Sequence, residues 1–354
     1  MNAPFPHSTP QVSLANLGDA NEAARIEHFV RALGGTPFHR PLWLNAVERG
    51  TGQVATGLLS EHGGEIAGWL PLTRVHSAIF GRALVSSGFA VGGGPLATDG
   101  RTASALCRRA EELALRHSCQ TVEIRGGSAP ADWDRTTQSH CGFVAELAAD
   151  AEAQLLAIPR KQRAEIRKGL KMDLAVETGT SERDRASHYS VYAQSVRNLG
   201  TPVFPRSLFD AVLDAFGDDA DILTVRHQGA AVASVLSLYH DGAVMPYWGG
   251  GTLAARHLRA NEVMYYQLML HAARRGCTRF DFGRSKTASG PYHYKKNWGF
   301  TPQPLEYASW TAPGAKRRDL SPANAAYSAK IELWKRLPLR VANAIGPFIA
   351  KGLA

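Results

Sequence analysis

The sequence is poor in cysteine and has no long apolar run. Its four cysteines among 354 residues lack CxxC spacing and lie beside no zinc-spaced histidine pair, so we expect neither disulfides nor a metal site. No segment approaches the roughly 20 apolar residues of a membrane-spanning helix. The opening residues MNAPFPHSTPQVS lack the basic and then apolar pattern of a secretory signal. These absences predict a cytoplasmic protein with buried, reduced thiols.

Acidic residues are also in short supply. Asp and Glu number 31 against 40 Lys and Arg, giving a formal net charge of +9. Such a balance indicates an anionic partner, which could be a nucleotide-linked substrate, coenzyme A, RNA or an acidic lipid surface. RNA rests on charge alone, because the aromatic-rich motifs of RNA-binding modules are absent. With 44% apolar residues, the chain is long enough for two domains.

The strongest pattern in the chain is an internal repeat of four blocks in the same order. In the third block, a strand runs into three glycines that could turn tightly or approach a ligand closely. The pairs are TPFHRPLWLNAV with TPVFPRSLFDAV, TGLLSEHGGEIAGWLPL with LTVRHQGAAVASVLSL, FAVGGGPLA with PYWGGGTLA, and AEELALRHSCQTVEIRG with QLMLHAARRGCTRFDFG. Because each block alone is weak, the constant order is what indicates a duplication.

The repeat predicts an α/β (α+β) fold of two tandem domains. Each copy reads as helix, helix, three-stranded meander, helix and strand, which predicts a mixed, largely antiparallel sheet flanked by helices. We expect a first unit over residues 1–150, a second unit over residues 151–312 and a basic amphipathic helical tail over residues 313–354.

The densest group of polar and aromatic residues lies in the segment Arg279–Phe300, RFDFGRSKTASGPYHYKKNWGF. A loop of this composition after a rigid strand is typical of a substrate site. A nucleophilic amine must lose a proton, so Asp281 or His293 could act as a general base. Asp281 also has a structural interpretation, because Glu123 takes its place in the first copy.

These motifs resemble the FemAB family. The carriers of the resemblance are the tandem units, the DFG strand end and the GPYHYKKNWGF segment, with RNLGTPVFP and WKRLP closest to FemAB-like proteins associated with exosortase and exopolysaccharide clusters. The resemblance covers most of the chain. It implies two tandem acyltransferase domains of the GNAT type that transfer an acyl or aminoacyl group to an amine or hydroxyl of an envelope or exopolysaccharide precursor.

The resemblance also implies roles for individual residues. The family's catalytic lysine, which stabilises charge on the reacting carbonyl oxygen, falls on Lys295, with Lys296 as the next candidate. We expect Lys295→Ala to abolish transfer while leaving the melting temperature within a few degrees, because a loop cation contributes little to stability. Arg197 is implied as a phosphate or sugar ligand. Tyr247 and Trp248 could stack on a base or sugar, or could belong to the core. The other candidate substrate-binding residues are Arg284 and Tyr292.

The donor is left open by the sequence. GNAT enzymes hold the coenzyme A pyrophosphate on a glycine-rich turn at a helix N-terminus, but the corresponding stretch, residues 256–261, has no glycine. Arg256, Arg259 and Asn261 are the candidates for holding acyl-CoA there. The helical arm with which some FemAB proteins bind tRNA is missing, so an aminoacyl-tRNA donor is no better supported. We expect no tightly bound cofactor, and no nucleic acid other than a tRNA donor.

Two basic segments complete the sequence. IPRKQRAEIRKGLKM could be a solvated helix face or an electrostatic clamp for phosphate. The tail could lie on the anionic inner membrane or dock on the first unit. The partner implied is a phosphate-bearing acceptor, either a small molecule or lipid-linked. We expect the first unit to be non-catalytic, and the alternative for the whole chain is a non-catalytic assembly factor that keeps the acceptor groove.

Overall fold

A computed structural model describes residues 11–316 and 325–353, so part of the predicted tail lies outside the described residues. The first half contains β1 (Gln11–Leu14), α1 (Ala20–Ala32), α2 (Pro41–Thr51), β2 (Val54–His62), β3 (Glu65–Ser77), β4 (Gly81–Ser86), β5 (Leu96–Ala97), α3 (Gly100–Arg116), β6 (Thr121–Arg125), β7 (Asp134–Thr136), β8 (His140–Gly142) and β9 (Val144–Glu146). Short 3₁₀ turns occur at Pro37–His39, Gly217–Asp219 and Lys351–Leu353.

The second half repeats this order of elements. It contains α4 (Ala151–Ala157), α5 (Arg160–Gly169), β10 (Leu174–Gly179), α6 (Glu182–Leu199), α7 (Arg206–Phe216), β11 (Ala220–His227), β12 (Ala230–His240), β13 (Ala243–Gly251), α8 (Leu253–Leu258), α9 (Ala260–Arg274), β14 (Arg279–Asp281), β15 (Ser285–Lys286), α10 (Gly290–Asn297), β16 (Gln303–Pro304), β17 (Tyr307–Thr311), α11 (Ala325–Arg336) and α12 (Leu339–Ala350).

The helix ends follow local signals in the sequence. Pro41 is the first residue of α2, and α7 begins directly after Pro205, in keeping with the fixed backbone angle of proline. The Asp99 carboxylate accepts hydrogen bonds from the first free N–H groups of α3, and Ser181 forms a capping box at the start of α6. These caps stabilise the helices that flank the sheets.

Two large sheets correspond to the two copies of the repeat. The first has the strand order β1-β2-β3-β4-β6-β17-β7, with β5 beside β3, and the second has the order β10-β11-β12-β13-β14-β9. In each copy the meander is antiparallel and one pair is parallel, β4 with β6 and β13 with β14. The predicted mixed, largely antiparallel sheets flanked by helices are confirmed.

Strands are exchanged between the two units. β9, from the first half of the chain, pairs with β14 at the edge of the second sheet. β17, from the end of the second unit, lies between β6 and β7 of the first sheet. β8 is likewise flanked by β15 and β16. The sheets therefore cross the predicted boundary near residue 150, and each depends on a strand from the other half.

The equivalent helices α2 and α7 pack against each other at the centre of the molecule. Their approach depends on Gly50, where a Cβ atom would lie 2.5 Å from the Leu208 Cα atom. Ser207 Oγ donates to the Gly50 carbonyl at 2.6 Å. Beside this contact the rings of Trp43 and Trp248 stack at 6.0 Å. One apolar cluster therefore contains residues of both units.

The three glycines differ in the two copies. In the first copy they lie in the loop between β4 and β5, where Gly93 has φ +92°. In the second they lie within β13, where a Cβ at Gly250 would be 2.3 Å from Ser195 Oγ, and one at Gly251 would be 2.5 Å from Asn261 Oδ1. The predicted tight turn is therefore wrong for the second copy, where the glycines give space to the neighbouring helices.

The described part of the tail consists of two helices, α11 and α12, rather than one. α12 packs on the second unit, where a Cβ at Gly346 would lie 3.1 Å from the Val203 nitrogen. Beyond α12, Gln53 Nε2 donates to the Lys351 carbonyl at 3.0 Å, so the tail also contacts the first unit. No helix in residues 11–316 and 325–353 is long and apolar enough to cross a membrane.

Candidate functional site

The turn after β14 is held from both sides. The Gly283 N–H donates to Asp281 Oδ1 at 2.9 Å. Lys295 Nζ, which reaches the turn from α10, donates to the carbonyl oxygens of Gly283 at 3.2 Å and Arg284 at 2.9 Å. Gly283 has φ +67°, a conformation that favours glycine. Asp281 and Lys295 therefore fix the backbone that presents the Arg284 side chain.

Lys295 is a buried cation. It is 8% exposed, and its ammonium group lies 5.3 Å from the ring centroids of both Phe143 and Phe282. Burial lowers its pKa from 10.5 to about 8, against the opposing effect of the Asp281 carboxylate. The expected loop position of Lys295 is therefore wrong, because Lys295 lies in a helix and bonds two carbonyls. An ammonium has three donors, so one is not used by these two hydrogen bonds.

Asp281 is the better placed of the two candidate bases. Burial raises the pKa of its carboxyl group, which is the direction that suits a base working near neutral pH. Asp281 lines a cleft between the units, together with Thr36 and His240. His293 is exposed on α10, and its ring packs against Tyr292 at 5.3 Å.

Arg284 connects the turn to the first unit. Its Nη1 donates to the Tyr307 hydroxyl at 3.0 Å, and that hydroxyl donates to the Val91 carbonyl at 3.5 Å. Tyr307 lies on the exchanged strand β17. Sequence analysis missed Tyr307, because its position beside Arg284 depends on the strand exchange and no local motif marks it.

The remaining aromatic and basic candidates of α10 lie farther out. Tyr292 packs against Phe143 with ring centroids 5.6 Å apart. Lys296 is exposed, with its ammonium group 5.7 Å from the Tyr292 ring centroid. Of the two neighbouring lysines, Lys295 is thus the one that faces the turn.

Tyr247 and Trp248 have different environments. Trp248 is 4% exposed and packs against Phe209 with ring centroids 4.6 Å apart, so it belongs to the core. Tyr247 is half-buried, and its hydroxyl donates to the Phe89 carbonyl of the first unit. Tyr247 therefore lies between the units, whereas Trp248 lies in the core and packs against the Tyr247 ring.

Arg197 is bonded to the tail. Its Nη1 donates to the Lys335 carbonyl in the last turn of α11 at 3.0 Å. A cation at this end of a helix interacts favourably with the free carbonyls. The structure thus gives Arg197 a partner within the chain and does not bring it to the turn at Gly283.

The predicted donor residues lie at the junction of α8 and α9. Arg256 is exposed, and Arg259, with φ +55°, pairs through Nε with Glu165 Oε2 at 2.5 Å. The buried Oδ1 atom of Asn261 has no hydrogen-bond partner among the described residues. In GNAT enzymes a glycine-rich turn at the start of this helix exposes free N–H groups. In this chain the short helix α8 directly precedes α9 instead.

The basic segment before β10 forms α5. Lys161, Arg167 and Lys168 are exposed along it, as expected for a solvated face. Lys168 pairs with Glu165 at 2.6 Å, the same carboxylate that holds Arg259. This helix therefore contacts the predicted donor residues through one shared glutamate.

The tandem sheets, each an antiparallel meander with one parallel strand pair, have the architecture of the GNAT acyltransferase class. Residues 160–296 match the model of the acetyltransferase (GNAT) domain family. The match covers less than half of the chain. No curated protein matches the sequence.

Solved structures share the fold over most of the chain. A FemX crystal structure matches with TM-score 0.65 at 14% identity, covering 84% of this chain and 96% of that one. A tandem GNAT protein from the clavulanic acid pathway matches with TM-score 0.55 at 13% identity, over 86% and 100% of the two chains. L-PGS from Bacillus licheniformis matches with TM-score 0.54 at 11% identity, over 90% and 98%. The predictions of a FemAB-like tandem GNAT fold and of an acyltransferase are confirmed.

Proposed function

We propose that this chain transfers an acyl or aminoacyl group to an amine or hydroxyl of a cell-envelope or exopolysaccharide precursor. The observation that carries the proposal is the buried Lys295 at the turn after β14, with one donor left for the oxygen of a reacting carbonyl. A fixed cation there stabilises the negative charge that forms when the acceptor attacks, which can lower the barrier by about 3 kcal/mol. Asp281 takes the proton from the acceptor nitrogen or oxygen as that atom bonds to the acyl carbon. The bond between the acyl carbon and the donor then breaks, and the donor leaves as the coenzyme A thiol or the tRNA hydroxyl, taking up a proton.

The first unit acts as a non-catalytic half. In the second unit, β14 leads through the Gly283 turn to the lysine-bearing helix α10, whereas β6 leads to β7 without a helix among the described residues. The first unit instead contributes the loop contacted by Tyr247 and Tyr307. This arrangement supports an acceptor site between the units.

A transfer assay tests the proposal. The protein is incubated with labelled acetyl-CoA or labelled aminoacyl-tRNA and a set of nucleotide-linked and lipid-linked sugars, and label on the sugar is measured. Lys295→Met should lower the rate by roughly 100-fold or more, while Lys296→Met, a matched change at the exposed neighbour, should retain it. Equal rates in the two variants would remove Lys295 from the mechanism.

The alternative is a non-catalytic assembly factor of an exopolysaccharide or exosortase system. It is favoured by the α8–α9 junction, where Arg259 is already paired with Glu165. GNAT domains typically use acyl-CoA, so calorimetric titration with acetyl-CoA separates the two possibilities. Micromolar binding lost in the Arg256→Ala, Arg259→Ala double variant supports an acyl-CoA transferase, and no binding at millimolar ligand supports another donor or the assembly factor.

The tail gives the protein a peripheral contact with the cytoplasmic face of the inner membrane. Val341, Ile345 and Phe348 are 44%, 42% and 77% exposed and share one face of α12 by their spacing. Arg340 and Lys351 lie beside this face in sequence, and their charge suits anionic lipid. This contact would bring the site close to lipid-linked acceptors.

A further inference from the structure

Three successive carbonyls of the loop after β4 are bonded by side chains from three parts of the chain. Tyr247 in the second unit donates to Phe89 O, Arg125 at the end of β6 donates to Ala90 O at 2.8 Å, and Tyr307 on β17 donates to Val91 O at 3.5 Å. Both units therefore meet at one short segment, and the side chains that meet there are two phenols and a guanidinium.

A second guanidinium reaches the same place. Arg125 and Tyr307 are directly opposite each other in the ladder between β6 and β17, so their side chains share one face of the sheet. Arg284 Nη1 donates to the Tyr307 hydroxyl at 3.0 Å. The ring of His140 lies 5.5 Å from the Tyr307 ring. Arg125 and Arg284 thus converge on one phenol from opposite units.

The carboxylate pairing of the two arginines is weak. Arg125 is 9% exposed, and its contact with Glu123 is 3.9 Å long, beyond hydrogen-bond reach. For Arg284 the described part of the chain provides no ion pair. Burial and then the charge of Arg284 lower the pKa of Arg125, and burial together with the nearby cations lowers the pKa of His140 to about 4. A buried cation beside a second cation is costly unless an anion lies between them.

We infer that Arg125 and Arg284 together bind a phosphate or diphosphate group beside the loop after β4, where the two units meet. The planar fork of each guanidinium matches phosphate oxygens, and two forks from opposite sides would close the units around the ligand. Arg125 follows Glu123 by two residues, just as the turn residue Gly283 follows Asp281. Arg125 therefore occupies in the first copy the position that Gly283 occupies in the second. The inference rests on the proposed function only for the origin of the ligand, which is either a nucleotide-linked acceptor or coenzyme A.

Binding of inorganic pyrophosphate to the purified full chain tests the site. Arg284→Gln is the informative variant because Arg284 is half-buried and its loss leaves the Arg125 bond to Ala90 intact. Lys286→Gln is the matched control, since it removes an exposed cation two residues away. We expect affinity to fall about tenfold or more in Arg284→Gln and to stay within about twofold in Lys286→Gln.

Further titrations distinguish between the two possible sources of the phosphate group. UDP and coenzyme A are titrated separately into the same three proteins and into Arg125→Lys, which keeps the charge but loses the fork. Loss of UDP binding in Arg284→Gln and Arg125→Lys assigns the site to the acceptor, and loss of coenzyme A binding assigns it to the donor. Equal affinities in wild type, Arg284→Gln and Lys286→Gln, or no binding of any probe at millimolar concentration, would overturn the inference.

The same titrations are independent of turnover. If the protein binds pyrophosphate through Arg284 but transfers no acyl group, this inference stands and the proposed function is refuted. If Arg284→Gln transfers acyl groups at the wild-type rate and its affinity for all three probes is unchanged, the proposed function stands and this site is refuted.

Discussion

Replacing Lys295 by methionine should change the pH dependence of unfolding. The pKa of Lys295 is lowered from 10.5 to about 8 in the folded protein, which corresponds to about 3 kcal/mol of free energy. Between pH 8 and 10.5 the unfolded chain holds this proton and the folded chain has released it. Stability must therefore rise with pH across this window, and the cost of burying the charge is fully present below pH 8.

The magnitude can be measured against two variants. Urea unfolding of wild type, Lys295→Met and the exposed control Lys296→Met is followed at pH 7 and pH 9.5. The free energy of unfolding of wild type, relative to Lys295→Met, should increase by about 2 kcal/mol between these pH values. Other titrating groups cancel because the comparison is between variants at the same pH, and Lys296→Met should follow wild type.

At pH 7 two effects of the substitution oppose each other. Methionine removes the buried charge but leaves the carbonyls of Gly283 and Arg284 without their donor, at about 1 to 3 kcal/mol each. The net loss of stability at pH 7 should therefore be small, between about 0 and 3 kcal/mol. Parallel pH profiles for wild type and Lys295→Met would refute the burial of a charged Lys295.

Three further substitutions test other parts of the structure. Arg197→Ala removes the donor to the Lys335 carbonyl, so trypsin should release the tail faster while pyrophosphate binding is retained; an unchanged cleavage rate would contradict this anchoring. Phe348→Ser should weaken binding to anionic phosphatidylglycerol vesicles about tenfold with an unchanged melting temperature, whereas equal co-sedimentation would argue against the membrane contact. Trp248→Ala, at a site that is 4% exposed, should cost about 3 to 5 kcal/mol in urea unfolding; a stable variant would place Trp248 outside the core.

The order of elements could be predicted because it depends on local patterns. Each segment contains its own apolar periodicity and its own proline, at the first residue of α2 and directly before α7. The repeat therefore supplied two independent examples of each pattern. The helix start at Pro41 is an example, since a proline sets the backbone angle wherever it stands. Fold class therefore followed from the sequence.

Features that depend on distant partners could not be predicted in this way. Nothing in the segment around Tyr307 indicates that it pairs with β6, about 180 residues earlier. Lysine is rarely buried, and no local pattern in the sequence indicated that Lys295 is buried. Arg125 had a weak signal, as an arginine at the end of a buried strand in the copy without the lysine-bearing segment. The sequence thus indicated a candidate segment, which stays a prediction, but it did not indicate the contacts within it.

The exchanged strands constrain how the protein can be made. The first sheet needs residues 307–311 between β6 and β7, so its final strand order is reached only after nearly the whole chain has left the ribosome. Until then β6 offers an open edge, which is a hazard for association with other chains. The two halves therefore mature together, and neither a gene fragment ending near residue 150 nor one beginning there encodes a complete sheet.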